Sequence, residues 1–122
     1  HNVSAIIVSN TTAINRENLQ DITKHQKGGL SGKPLEAVSN KLISKFHKLL
    51  KGKIQIIGVG GVDSGKSAYL KFLAGASFVQ LYTGMVFQGP GIVGKIKKEL
   101  KEILIKDGVK NFKEIVGKNY YN

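Results

Sequence analysis

Ile54-Gln55-Ile56-Ile57-Gly58-Val59-Gly60-Gly61-Val62-Asp63-Ser64-Gly65-Lys66-Ser67 is the stretch on which the fold turns. Ile54 to Val59 is apolar at most positions, as expected of a strand covered on both faces. The run breaks at Gly60-Gly61, and Ser64 then caps a predicted helix reaching about Ala74. Strand, glycine corner and helix follow one another with no room for anything else.

The same unit recurs on both sides. Upstream, Ser4 to Ser9 predicts a strand ending in Asn10-Thr11-Thr12. A polar stretch from Asn15 to Gly29 is long for such a connection, and loops of that kind are functional or mobile. Gly28-Gly29-Leu30-Ser31-Gly32-Lys33-Pro34 leads into a helix whose Leu35, Val38, Leu42, Phe46 and Leu49 step by three and four, which predicts one buried stripe. Pro34 suits its first turn, with Ser31 or Lys33 near its start. Downstream, Ser77 to Tyr82 predicts a third strand, closed by Thr83-Gly84. Gly89-Pro90-Gly91 introduces a long helix with Ile92, Val93, Ile96, Leu100, Ile103 and Leu104 on one face. Lys95, Lys97, Lys98 and Lys101 lie on the other, and Gly108 is a natural stop. Phe112 to Val116 adds one short helical turn.

Alternation at this spacing predicts an α/β fold with parallel strands and outer helices. Either an open doubly wound sheet or part of a closed barrel satisfies it. A complete (β/α)₈ barrel takes roughly 250 residues, so the 122 residues here, with three units, do not close one. A three-stranded sheet with helices on one side leaves its other side bare. The chain starts at His1 and its single methionine is Met85, so the expectation is that residues are missing in front of it.

Composition narrows the function classes. A hydrophobic content of 41% is that of a folded chain rather than a disordered one. There is no run of eighteen apolar residues to span a membrane, and no signal-peptide pattern. Cysteine is absent, which excludes disulfides and thiolate metal sites. The net charge of +11 invites a nucleic-acid reading. However, Arg16 is the only arginine, and the lysines are spread over every predicted helix instead of one stripe. Solvated helix faces account for them, and no nucleic-acid partner is expected. His1, His25 and His47 have no spacing that suggests a metal site, and His25 and His47 read as surface residues.

Gly60 to Ser67 also fits G-x-x-x-x-G-K-[ST], the phosphate loop of nucleoside triphosphatases, after a strand and at a helix start. Such enzymes need a carboxylate at a neighbouring strand end for Mg²⁺. Asp21, Asp63 and Asp107 end no apolar run; the strand ends carry Ser9, Asn10, Tyr82 and Thr83. A triphosphatase remains the alternative reading. What the motif retains either way is the physics of glycine backbone approaching an anion.

Taken together and in order, Ser9-Asn10-Thr11-Thr12, Gly28-Gly29-Leu30-Ser31-Gly32-Lys33-Pro34-Leu35, Ile56-Ile57-Gly58-Val59-Gly60-Gly61-Val62, Gly75-Ala76-Ser77 through Val79-Gln80-Leu81-Tyr82-Thr83, and Phe87-Gln88-Gly89-Pro90 resemble the dihydroorotate dehydrogenases. Gly-Gly-Leu-Ser-Gly-Lys-Pro-Leu and the basic helix after Gly89-Pro90 resemble the class 2, quinone-reducing branch. The likeness covers essentially the whole chain, least so from Asn15 to Lys27.

The resemblance implies an FMN-binding (β/α)₈ barrel, with residues 1–122 as its sixth to eighth strands and their helices. It implies oxidation of dihydroorotate to orotate in pyrimidine synthesis, with quinone as the final acceptor. Gly61 and the Tyr82-Thr83 pair, with Gly60 beside them, would hold the FMN phosphate. Ser31, Gly32 and Ser9 would contact the flavin, and Asn10 and Thr11 the pyrimidine. Ser9 stands where the family commonly has threonine, which keeps the hydroxyl. Each residue also has a plainer role: a tight turn at Gly60-Gly61, a turn at Asn10, a helix cap at Ser31, a core aromatic at Tyr82. The catalytic base and flavin-supporting lysine of class 2 enzymes would lie upstream, as would the helical element meeting quinone and membrane. No catalytic residue is therefore expected in this chain, and alone it is expected to be inactive, soluble and prone to self-association. The whole enzyme would sit peripherally on the cytoplasmic side of the inner membrane.

Overall fold

A computed structural model describes residues 2–13, 16, 17 and 19–118. His1 and Asn15, named above, lie outside the described residues. The elements run β1 (Ala5–Val8), α1 (Glu36–Leu50), β2 (Gln55–Val59), α2 (Gly65–Ala74), β3 (Phe78–Gln80), α3 (Thr83–Gln88) and α4 (Ile92–Lys106), with 3₁₀ turns at Ile22–His25, Lys33–Leu35 and Phe112–Ile115. The three strands form one parallel sheet in the order β1-β2-β3. Ile7 pairs with Ile57 and Ile57 with Phe78; Val8 pairs with Gly58 and Gly58 with Val79.

That register sorts side chains by face, because neighbours along a strand point opposite ways. Ile6, Val8, Ile56 and Val79 face the helices. Val8, Ile43, Ile56, Ala74 and Ala76 form one buried cluster, with Ile6, Leu42, Phe46 and Leu50 packed on it. A second cluster joins Val62, Ala68, Ile92 and Ile96 to Val79 and Leu81, tying α2 and α4 to the third strand. The opposite face is bare: Ile7 is 59% exposed and Phe78 53%. The one-sided sheet expected from the sequence is what the chain forms.

Two local expectations change. The stripe read for α1 is rotated: Val38 and Leu49 are exposed, while Ser39, Asn40, Ile43 and Ser44 are buried. Ser39 and Asn40 occupy the buried face because partners await them there. Ser39 Oγ donates to the Val59 carbonyl at 2.6 Å, and Asn40 Oδ1 accepts from Lys71 Nζ at 2.6 Å. Hydrophobic periodicity cannot see a face buried by hydrogen bonding. Likewise Val93 on α4 is exposed although Ile92 and Ile96 are buried. Thr83-Gly84, read as closing the third strand, is the start of α3, whose six residues are too few for a period.

The polar loop is held rather than loose in its second half. Thr12 and Leu30 pair as an antiparallel bridge. Arg16 Nη1 donates to the carbonyls of Lys24 and Gln26, at 3.2 and 2.6 Å, and Nη2 donates to that of Gly28. His47 is half-buried rather than superficial, since a Cβ on Gly75 or Gly117 would strike its ring. His25 is exposed, as read.

The rotated α1 face yields a contrast. Ile43→Ala should destabilise the folded protein by about 2–5 kcal/mol, as for other buried isoleucines. Val38→Ala should change stability by less than about 0.5 kcal/mol, the surface range. Denaturant titration of both variants checks this, and similar losses would restore the stripe read from sequence.

Candidate functional site

All three strands end at the same edge, so the segments after β1, β2 and β3 meet there. They enclose a cleft of about 600 Å³. Ser9, Asn10 and Thr11 come from the end of β1, and Ser31 and Gly32 from the segment before α1. Gly60 and Gly61 come from the end of β2, and Tyr82 and Thr83 from the end of β3. The structure thus brings together all nine residues singled out from the sequence.

Their local geometry departs from the plainer roles at Ser31 and Tyr82 and keeps the tight turn at Gly61. Ser31 caps no helix; its Oγ accepts from Thr83 Oγ1 at 2.9 Å, linking the first crossover to the start of α3. Tyr82 is 79% exposed and not a core aromatic. Asn10 Oδ1 accepts from the Thr11 amide at 2.8 Å, one residue on rather than the two of an Asx turn, and that bond leaves its amide nitrogen uncommitted. Gly61 has φ 76° and a Cβ there would lie 2.6 Å from that of Glu36. Only glycine fits this corner.

Sequence reasoning passed over three polar groups at the cleft. Lys33 Nζ bonds Glu36 Oε2 at 2.5 Å and Asp63 Oδ1 at 3.2 Å, bridging the segments before α1 and α2. The Glu36 bond raises the Lys33 ammonium above its ordinary value, against partial burial, with Asp63 adding to the rise. Burial pushes the Asp63 carboxyl up, but Lys33 and the Ser64 hydroxyl outweigh it and leave the group below its ordinary value. Gln88 Nε2 donates to the Asp63 carbonyl at 3.1 Å and its Oε1 accepts from Lys95 at 3.0 Å. Gln88 and Lys33 belong to quoted motifs, yet nothing in periodicity points to their roles.

The triphosphatase-like motif behaves differently from its pattern. The start of α2 is closed by protein groups. Ser64 and Ser67 form a reciprocal capping box, with Ser67 N to Ser64 Oγ at 3.2 Å and Ser64 N to Ser67 Oγ at 3.0 Å. The Gly65 amide donates to Glu99 Oε2 at 2.6 Å, a carboxylate delivered by α4. A Cβ on Gly65 would lie 2.4 Å from that of Glu99 and 2.5 Å from the Leu100 amide nitrogen. The second glycine of the motif is therefore required by helix packing. Lys66 is exposed and lines no part of the cleft. Among the described residues, no group of three or more His, Asp or Glu side chains is placed to hold a metal ion.

Parallel strands with outer helices, and a cleft of hydroxyls and glycine backbone at the C-terminal strand ends, are the marks of a β/α-barrel enzyme site. Residues 1–104 match the family model described as dihydroorotate dehydrogenase. Dihydroorotate dehydrogenase (quinone) of Deinococcus radiodurans is 43% identical over 114 residues, which are 93% of this chain and 31% of that protein. The mitochondrial dihydroorotate dehydrogenase (quinone) of Mus musculus is 43% identical over 115 residues, 94% of this chain and 29% of its own length. The crystal structure of ligand-free DHODH from Eimeria tenella superposes with a TM-score of 0.89 at 38% identity, over 98% of this chain and 33% of that one. The chain belongs to the dihydroorotate dehydrogenase family and spans about a third of the length of the relatives it matches.

The capping arrangement at α2 carries its own test. Glu99→Ala should lower stability by about 1.5–3 kcal/mol, the range for a hydrogen bond to a charged group. Lys66→Ala should change it by less than about 0.5 kcal/mol. Thermal melts of the two variants decide, and a neutral Glu99→Ala would reopen α2 as an anion site.

Proposed function

We propose that residues 1–122 are the cofactor-phosphate and part of the substrate side of a quinone-dependent dihydroorotate dehydrogenase, as the sixth to eighth units of its one barrel domain. The observation that carries this is the convergence of the three strand-end segments on one cleft. The donor set suits flavin mononucleotide. Hydroxyls of Ser31, Tyr82 and Thr83 and the backbone of Gly32, Gly60 and Gly61 line one cleft, which matches a phosphate ester on a hydroxylated chain. When bound, the flavin supplies hydride acceptance from the substrate.

The chain's own residues would bind and orient. Gly60 and Gly61 turn the backbone where no side chain blocks an anion, and Thr83, held by Ser31, offers its hydroxyl from the start of α3. Ser9 and Gly32 would meet the flavin ring. Asn10 and Thr11 would hydrogen-bond the pyrimidine of dihydroorotate or orotate. The Lys33 bridge to Glu36 and Asp63 would keep the walls at fixed spacing. None of these residues is assigned as the proton-abstracting base. Among the described residues no helix is long and apolar enough to cross a membrane. A peripheral membrane position and the quinone contact are assigned to the part of the relatives that this chain does not span. The bare sheet face with Ile7 and Phe78 is assigned to the remaining strands or, in the isolated chain, to self-association.

Two measurements test this. In the full-length protein carrying these residues, Thr83→Val should weaken FMN binding about tenfold, the worth of one good hydrogen bond to a charged group. Asn10→Ala should raise the KM for dihydroorotate while leaving FMN affinity unchanged. Flavin-fluorescence titration and steady-state kinetics read both, and an unchanged FMN affinity in Thr83→Val removes α3 from the phosphate site. The isolated chain should form no orotate, and orotate formed by it would place a base within these residues.

A further inference from the structure

Lys71 lies on α2, on the opposite side of the glycine corner from the cleft, and has no exposed surface. Its Nζ donates to Asn40 Oδ1 at 2.6 Å and to Ser39 Oγ at 3.1 Å. Both partners are neutral. Ser39 in turn donates to the carbonyl of Val59, the residue before Gly60, and a Cβ on Gly60 would lie 3.3 Å from that of Ser39. One serine therefore separates a buried ammonium group from the corner that lines the cleft.

A buried charge is costly unless an opposite charge compensates it. The groups that face Lys71 are Glu36 and Lys33, from the first turn of α1 and the segment before it. Glu36 is already joined to Lys33 at 2.5 Å, and Asp63 holds the same lysine at 3.2 Å, so among the described residues both carboxylates are engaged by Lys33 and the direct partners of the Lys71 ammonium are neutral. Burial pulls Lys71 down to about 8, with Glu36 raising it and Lys33 lowering it further.

Resting on the reading of the cleft as a flavin-phosphate site, we propose that Lys71 is a buried counter-charge for the cofactor phosphate, acting across Ser39 and the Gly60-Gly61 corner without touching the ligand. An anion there favours the protonated lysine, and by reciprocity the protonated lysine favours the anion. The phosphate is doubly charged throughout the window above pH 7, since its second ionisation lies near 6. The sign follows. Binding lifts Lys71 above its free value of about 8. The gain in affinity is complete below that free value and is lost as pH rises from it through the higher value of the bound state. Lys33, raised by Glu36, stays charged across the window.

The test uses the apo form of the longest natural polypeptide containing these residues, titrated with FMN and with riboflavin from pH 7 to 9.5. FMN affinity should fall about tenfold across the range, a typical coupling between two sites. Riboflavin has the same ring and no phosphate, so its affinity should stay flat after the ring's own ionisation is allowed for. Lys71→Met should bind FMN about tenfold more weakly at pH 7, with no pH dependence, and riboflavin as the wild type does. Lys71→Arg, which keeps the charge, should restore FMN affinity at pH 9.5. Parallel FMN and riboflavin profiles in the wild type would overturn the proposal, even if Lys71→Met fails to fold. So would a folded Lys71→Met with wild-type FMN affinity. Failure of the wild type to bind FMN at any pH would overturn the phosphate-site reading itself.

Discussion

The middle strand, β2, has a parallel neighbour on each side, and most of the rest depends on that pairing. Parallel strands cannot be joined by tight turns, so the chain must cross over between them, and right-handed crossovers put the helices on one face. The same constraint sends all three strands in one direction. Their ends, Ser9, Gly60 and Tyr82, must then arrive at one edge, and the cleft is a consequence of strand direction before any side chain is considered. The helix-facing side closes with Ile43, Ile56, Ala74 and Ala76. The other side keeps Ile7 and Phe78 exposed, as a sector of a barrel does before its neighbours are added.

Two anion-binding devices sit within a few residues of each other, and only one is open. A helix start and a glycine corner both offer backbone N–H groups. At α2 the Gly65 amide is taken by the Glu99 carboxylate and the Ser67 amide by the Ser64 hydroxyl. A second anion there would meet a carboxylate already in place. At Gly60-Gly61 the backbone lines the cleft. The motif that looks like a triphosphatase loop therefore separates into a corner that faces the cleft and a helix start that serves packing against α4.

Behind that corner the protein keeps a polar layer where a hydrophobic one would be the default. Ser39, Asn40 and Lys71 are buried together, and one chain of bonds, from Lys71 through Ser39, leads to the Val59 carbonyl. A buried lysine with neutral partners costs stability, which an apolar residue of similar size would avoid. Such an expense is characteristic of positions near sites. Ser39 is the joint: its hydroxyl oxygen accepts a hydrogen bond from the lysine and its O–H donates one to the carbonyl at the strand end.

The amino-acid sequence by itself determined the order and type of the long elements. Continuous apolar runs, glycine corners and 3.6-residue periods are local signals, and strand–helix alternation leaves parallel pairing as their consequence. It also determined which residues carry the family's motifs, so the nine residues first assigned to the cleft were legible in it, while the links made there by Lys33, Asp63 and Gln88 were not. The tertiary structure alone decided what those residues touch. The buried face of α1 is set by Lys71 and the Val59 carbonyl, which lie 32 and 20 positions away in the chain, and no local window contains them. Gly65 is glycine because α4 crosses it, a fact held by Glu99 and Leu100. The helix α3 exists although six residues give no period, because its start is held at the cleft, where Thr83 meets Ser31. Sequence carries what neighbours along the chain dictate; contacts between distant residues are settled only when the sheet brings them together.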